Sequence, residues 1–172
     1  MKTIDEFLNS VKFTLAVVGY LRDGNKVCLG VRKKVSSGLG ENLIAGIGGK
    51  VGDSLETRDE TSEQAMDREA NEEIGVKILE KQAMGRVRFI FSHKPADSLW
   101  NQDVRIYSIT KWEGLPAETE SIRPVWFDID ALPWERMWAD NEHWLPKVLA
   151  GQRVEAVFLY KGDNEIEAYR FE

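Results

Sequence analysis

Glu69, Glu72 and Glu73 crowd about one helical turn of "REANEEIGV", behind the glycine-rich stretch "GIGGK" at residues 46–50. Side chains three and four apart are neighbours on a helix, so Glu69 faces both others, and like charges so placed repel by roughly a few tenths of a kcal/mol per pair. A positive partner is expected to offset them. Hard oxygen ligands clustered in this way suit Mg²⁺ or Mn²⁺, which prefer carboxylates, carbonyls and water and bind with help from substrate phosphates. The glycines at 46, 48 and 49 let backbone come close to a ligand, so a main-chain carbonyl there can join a metal shell. No Cys/His cluster of zinc spacing is present. Taken alone, a glutamate-rich helix is more often a solvated face.

Such acids act only if an element holds them. Thr61 with Gln64 forms a capping-box pattern that opens a helix running to about Ile74, and Gly75 stops it. Met66, Ala70 and Ile74, four apart, give that helix a core side and leave the glutamates at its border. Ile4, Phe7, Leu8 and Val11 predict a short N-terminal helix packed on the body. "FTLAVVGY" and "KVCLGVR", joined at Asp23-Gly24, read as a hairpin, and Lys33 to Asn42 as an exposed loop. "GRVRFIF", "QDVRIYSITKW", "RPVWFDI" and "EAVFLY" are β-rich, and "KGDN" turns the last into "EIEAYRFE". A helix over Asn141 to Leu149 tolerates Pro146 only in its first turn. The pattern is a mixed α+β sandwich with helices covering a central sheet.

The 172 residues, 42% hydrophobic, suit one domain, 1–172, with residues 1–12 as the helix packed on it. A net charge of -6 argues against a grip on long nucleic acid, which needs a basic surface, but leaves room for a small anion carried with its metal. Cys28 lies in an apolar run and reads as a small buried hydrophobe. No apolar run is long enough to span a bilayer, and a reducing, cytoplasmic setting is expected.

"GGK", then Glu60, then seven residues to "REANEEIGV", resembles the Nudix hydrolase box, Gly-x5-Glu-x7-Arg-Glu-U-x-Glu-Glu-x-Gly-U, with U aliphatic. Glu60, Arg68, Glu69, Ala70, Glu72, Glu73, Gly75 and Val76 fall on its positions. Gly49 and Glu60 are separated by ten residues where the family has five, so the loop before the helix carries an insertion. The resemblance implies a Nudix fold, an α/β/α sandwich with a mixed central sheet. Arg68 would pair with Glu60, while Glu69, Glu72 and Glu73, with the Gly48 carbonyl, would bind the divalent metals that neutralise a diphosphate and activate water.

Beyond the box, "GIGGKV", "RPVWF" and "MWADNEHW" are similar to the MutT-like branch that hydrolyses oxidised purine nucleoside triphosphates such as 8-oxo-dGTP. That similarity covers roughly residues 13 to 172. It implies Thr14, Arg32, Phe89, Trp138, Asp140 and Asn141 around the nucleobase, with Lys50 as a further substrate contact. A flat base needs an aromatic to stack on, and adjacent Asp and Asn side chains read donor and acceptor edges; the bland alternative makes Trp138 core and Asp140 a helix cap. Two positions depart from the branch. Ala45, after Ile44, stands where it carries an Asn that bonds the purine, and Ser121 stands where it carries an acid, so Glu120 or Glu118 is the candidate extra ligand or base. His143 is expected to face solvent or pack beside Trp144.

The leading expectation is therefore an Mg²⁺-dependent (or Mn²⁺-dependent) pyrophosphohydrolase, monomer or homodimer, with a small nucleotide substrate and no membrane. The alternatives are a Nudix hydrolase of ADP-ribose, a dinucleotide or an RNA 5′ end, and a binding module without turnover.

Overall fold

The computed structural model describes residues 1–33 and 42–172, so most of the loop expected at Lys33 to Asn42 lies outside the described residues. Thr3 opens α1 (Ile4–Leu8) with a capping box, its hydroxyl accepting from the Glu6 N–H and the Glu6 carboxylate from the Thr3 N–H. Ile4, Phe7, Leu8 and Val11 pack on Ile90, Val157 and Leu159, as their spacing predicts.

The described residues form nine strands: β1 (Thr14–Asp23), β2 (Lys26–Arg32), β3 (Ile44–Ala45), β4 (Ile47–Lys50), β5 (Lys77–Phe91), β6 (Gln102–Glu113), β7 (Ile122–Asp128), β8 (Val154–Gly162) and β9 (Glu165–Phe171). They join in the order β3-β2-β1-β6-β5-β8-β9, with β4 added to β1 and β7 to β2. The sheet is mixed, since β1 runs parallel to β6 and β5 parallel to β8 while the other pairs are antiparallel.

Helix α2 (Ser62–Ile74) covers one face, burying Ala65, Met66, Ala70 and Ile74 on Val17, Leu21 and Ile109. Helix α3 (Asn141–Leu149) covers the other, where Trp144, Leu145 and Val148 meet Tyr20, Ile106 and Phe158. Side chains alternate across a strand, so neighbouring residues of β1 serve opposite faces, Leu21 toward α2 and Tyr20 toward α3. This is the α+β sandwich expected.

Two local expectations differ. Strand β5 begins at Lys77 rather than near Gly85, because bulges at 78–81 and 83–86 break the alternation by which a strand is read. Pro146 is the sixth residue of α3, outside the first turn, so the helix lacks one ladder bond; burial of Trp144, Leu145, Val148 and Leu149 holds it nonetheless.

Candidate active site

A cleft of about 470 Å³ runs between the two helical layers, acidic at one end and aromatic at the other. The acidic end is built by α2 against β4. Thr61 caps α2 through a reciprocal pair with Gln64, and Gly75 closes it in the left-handed region at φ 70°. These fix the register in which Glu69 and Glu73 face the cleft, each only 8% exposed. Gly48 N–H donates to Glu73 Oε2 at 3.4 Å. A Cβ on Gly49 would stand 2.4 Å from Glu69 Oε1, so only glycine lets this carboxylate lie on the β4 backbone.

Arg68 is the positive partner the glutamates required. Its Nε and Nη2 hold Glu60 at 2.9 and 2.6 Å, Nη1 reaches Glu69 and Glu72 at 3.0 Å each, and Nη2 also donates to the Lys50 carbonyl at 3.0 Å. All five of its N–H donors are therefore engaged. Glu60 in turn accepts from Gly52 N–H at 2.9 Å, which closes the inserted loop onto the helix. The Arg68 hydrogen bond holds the Glu60 carboxyl below its usual range. Burial raises Glu69, with Arg68 opposing. Burial also pushes Glu73 up to about 7, with Arg32 opposing. Arg32 Nη2 lies 3.4 Å from the Gly48 carbonyl, the oxygen expected to face a metal.

The aromatic end is walled by Tyr20, Phe89, Phe91, Trp100, Trp138 and Trp144. Phe91 stacks on Tyr160 with ring centres 4.8 Å apart, and Trp138 meets Tyr160 edge-on. Asp140, 1% exposed, sits at the N-cap of α3 but its side chain makes no capping hydrogen bond. Its Oδ1 accepts from the Tyr160 hydroxyl, and its Oδ2 from Trp144 Nε1 at 2.6 Å and Asn141 Nδ2 at 3.1 Å. Burial raises this carboxyl while those three donors pull it back.

Of the residues singled out in the sequence, the cleft gathers Arg32, Gly48, Lys50, Glu69, Glu73, Phe89, Trp138, Asp140 and Asn141. Glu60 and Arg68 stand behind its acidic end. Glu72 does not line the cleft; its side chain is 57% exposed and paired with Arg68. Thr14 pairs with Gln102 but is not among the lining residues. Glu120 is exposed and also off the lining, where Ser121 takes part instead, and Glu118 pairs with Lys33 at 3.2 Å. His143 packs on Tyr169, ring centres 4.5 Å apart, away from the cleft. Cys28 is buried, its thiol pushed up to about 12 by that burial, as an inert hydrophobe would be.

Tyr160 and Phe91 were not singled out, though alternation of β8 and β5 places them beside Phe158 and Phe89. Asp53, on the inserted loop, also lines the cleft, and no spacing rule points to it.

Among the described residues no three carboxylates stand together as a ready metal shell. Two buried carboxylates beside a backbone carbonyl do fit a cation such as Mg²⁺, which keeps several waters and takes further oxygens from substrate phosphates. No helix among the described residues is long and apolar enough to cross a membrane.

The NUDIX domain model matches residues 12–148. The chain is 35% identical over 147 residues to an oxidized purine nucleoside triphosphate hydrolase of Danio rerio, covering 86% of each chain. It is 31% identical over 144 residues to the Mus musculus protein of the same name, covering 84% of this chain and 85% of that one. The crystal structure of a MutT protein from Bacillus halodurans superposes with a TM-score of 0.72 at 21% identity, over 93% of this chain and 98% of that one, which shows the fold.

Proposed function

The chain belongs to the Nudix hydrolase family, and we propose that it cleaves an oxidised purine nucleoside triphosphate to the monophosphate and pyrophosphate with Mg²⁺ as cofactor. One observation carries the reading: a single cleft joins buried glutamates under a glycine backbone to a chamber walled by aromatic rings. Triphosphate and base are recognised by those two chemistries, and both relatives are named for such a substrate.

In the reaction, water adds to the α-phosphorus and loses a proton to solvent, the P–O bond of the α–β bridge breaks, and pyrophosphate leaves with the bonding pair. Glu69, Glu73 and the Gly48 carbonyl would hold the cation. A divalent cation held there would supply charge neutralisation of the phosphates and activation of water. Arg32 and Lys50, both on the cleft wall, set positive charge against the phosphates. Arg68 positions Glu69 and, through Glu60, the inserted loop. Phe89 and Trp138 bound the chamber for a flat base. Ala45 on the cleft wall, in place of an amide, leaves the base less constrained there. The lone buried Cys28 suits a reducing cytoplasm.

Release of pyrophosphate and phosphate with Mg²⁺ tests the reading across normal dNTPs, 8-oxo-dGTP, 2-hydroxy-dATP, ADP-ribose, NADH and a dinucleoside polyphosphate. A clear preference for an oxidised purine triphosphate, abolished by Glu73→Gln with the fold retained, is expected. Stronger activity on ADP-ribose or a dinucleotide overturns the substrate, and an unchanged rate in Glu73→Gln removes the glutamates from the mechanism.

A further inference from the structure

We infer that Asn101, which does not itself line the cleft, is a positioning residue for the substrate: its side chain ties the loop of residues 92–101 to the end of β5 and to the N-terminal segment, and so holds Trp100 and Gln102 on the cleft wall. The inference rests on the pyrophosphohydrolase reading and names a group outside the cleft on which substrate affinity depends.

Trp100 and Gln102 line the cleft, whereas Asn101 between them does not and is fully buried. A buried amide needs partners for both its carbonyl and its NH₂ group, and here every partner is backbone. Its Oδ1 accepts from the Phe91 N–H at 2.9 Å, just beyond Phe89–Gln102, the last pair of the β5–β6 ladder. The side chain thus stands in for a peptide unit where the ladder ends. Its Nδ2 donates to the Pro95 and Ala96 carbonyls at 3.3 Å each, which draws the loop together. The Asn101 N–H donates to the Ser98 carbonyl at 3.1 Å, and the Asn101 carbonyl accepts from the Thr14 N–H at 2.8 Å. The Ala96 carbonyl takes a second bond from the Lys12 N–H at 2.8 Å. One residue therefore joins β5, the loop and the segment that leads from α1 into β1.

The loop so held carries part of the aromatic wall. Trp100 is half-buried and meets Phe91 edge-on, ring centres 5.1 Å apart. Lys94 Nζ lies 4.1 Å from the Trp100 ring centre, and the Trp100 N–H donates to Ser98 Oγ at 3.2 Å. Lys94 and Ser98 belong to the same loop, so those two contacts move with it. Ser92 pins the start of the loop on the Tyr160 carbonyl at 2.9 Å, and Asn101 pins its end. A wall in place only a tenth of the time would lower apparent affinity about 10-fold, because the ligand must then bear the cost of ordering it.

Calorimetric binding of 8-oxo-dGMP, the expected product, and hydrolysis of 8-oxo-dGTP test this in a cycle of Asn101→Ala, Trp100→Ala and the pair. Asn101→Ala should weaken monophosphate binding on the order of 10-fold, a change of about 1.4 kcal/mol. It should raise KM for the triphosphate and leave kcat nearly unchanged. In the Trp100→Ala background the same substitution should weaken binding little further, because the wall it positions is gone. A lowered Tm with unchanged KM, the mark of a purely structural role, overturns the assignment, and so do losses that multiply. Should Asn101→Ala not fold, hydrogen exchange of the wild type decides. Saturating 8-oxo-dGMP should slow exchange at the Lys12 and Thr14 N–H groups, both off the cleft wall, more than at the Ile129 N–H, which bonds the Asn25 carbonyl elsewhere in the sheet. Equal slowing at all three overturns the assignment. A wild type that binds the monophosphate but releases no pyrophosphate from the triphosphate overturns the enzyme reading and leaves this one to stand on binding. A wild type that binds no monophosphate overturns both.

Discussion

Stripped of divalent metal, the protein should lose stability as the pH rises, and Glu73 sets the size of the loss. This carboxyl is 8% exposed, and burial lifts it from 4.5 to about 7, with Arg32 opposing and Glu69 adding. The folded state thus binds more protons than the unfolded chain between those two values. Its contribution is fully present below about pH 4.5 and is lost as the pH climbs through about 7. A rise from 4.5 to about 7 corresponds to about 3 kcal/mol. For a chain of this size that is about 6–12 °C in Tm. Glu69 is also raised by burial and acts in the same direction. Glu60, lowered by Arg68, acts oppositely, but below its ordinary value of 4.5 and so outside this window. A cation favours the ionised carboxylates, so its stabilisation should grow with pH. Scanning calorimetry from pH 5 to 8, in EDTA and in excess Mg²⁺, measures both effects. The EDTA curve should fall, the Mg²⁺ curve should stay flatter, and Glu73→Gln should remove most of the EDTA slope. A flat or rising EDTA curve, or the same slope in Glu73→Gln, refutes the role given to Glu73; equal Tm values in EDTA and Mg²⁺ at pH 8 refute the metal coupling.

The two glycines of β4 should separate stability from catalysis. A Cβ on Gly48 would lie 1.9 Å from the Val17 carbonyl oxygen, which is backbone and cannot yield, so Gly48→Ala should cost about 3 kcal/mol or fail to give soluble protein. The atoms nearest a Cβ on Gly49 all belong to the Glu69 carboxylate, the far end of a side chain that can move, so Gly49→Ala should melt within a few degrees of wild type while hydrolysis falls by about 100-fold as the acid is displaced. Arg68→Met should lower stability by about 2 kcal/mol in urea unfolding, since it leaves Glu60 and Glu69 without their shared cation at a side chain only 20% exposed. An unchanged midpoint would mean that the network contributes nothing to the fold.

Much of the acidic end was legible because it depends on local rules. Capping at Thr61 and Gly75 sets where α2 begins and ends, and the Met66, Ala70, Ile74 stripe sets which way it turns. The same stripe also separates the glutamates, although their crowding hides this. At about 100° per residue, Glu73 lies about 60° from Ala70 around the helix, whereas Glu72 lies about 160° away and must face solvent. Spacing alone groups three acids; spacing combined with the buried stripe leaves two in the cleft and gives the third to Arg68. Thr14 and Glu120 were carried only by resemblance, and no local rule placed either on the cleft wall.

The aromatic end was legible in composition but not in role, because the decisive contact joins residues far apart in the chain. "MWADNEHW" shows an acid beside an amide next to aromatics, and either could read a base. What separates them is Tyr160, on a strand that arrives only after α3. Alternation along β8 turns its ring toward the α3 face, but nothing in the pattern says that its hydroxyl ends on Asp140. A carboxylate almost without solvent is costly unless the chain itself supplies donors, and here it supplies three. Three donors from three different residues thus fix the acid where α3 begins, and only one of them, Tyr160, comes from far along the chain.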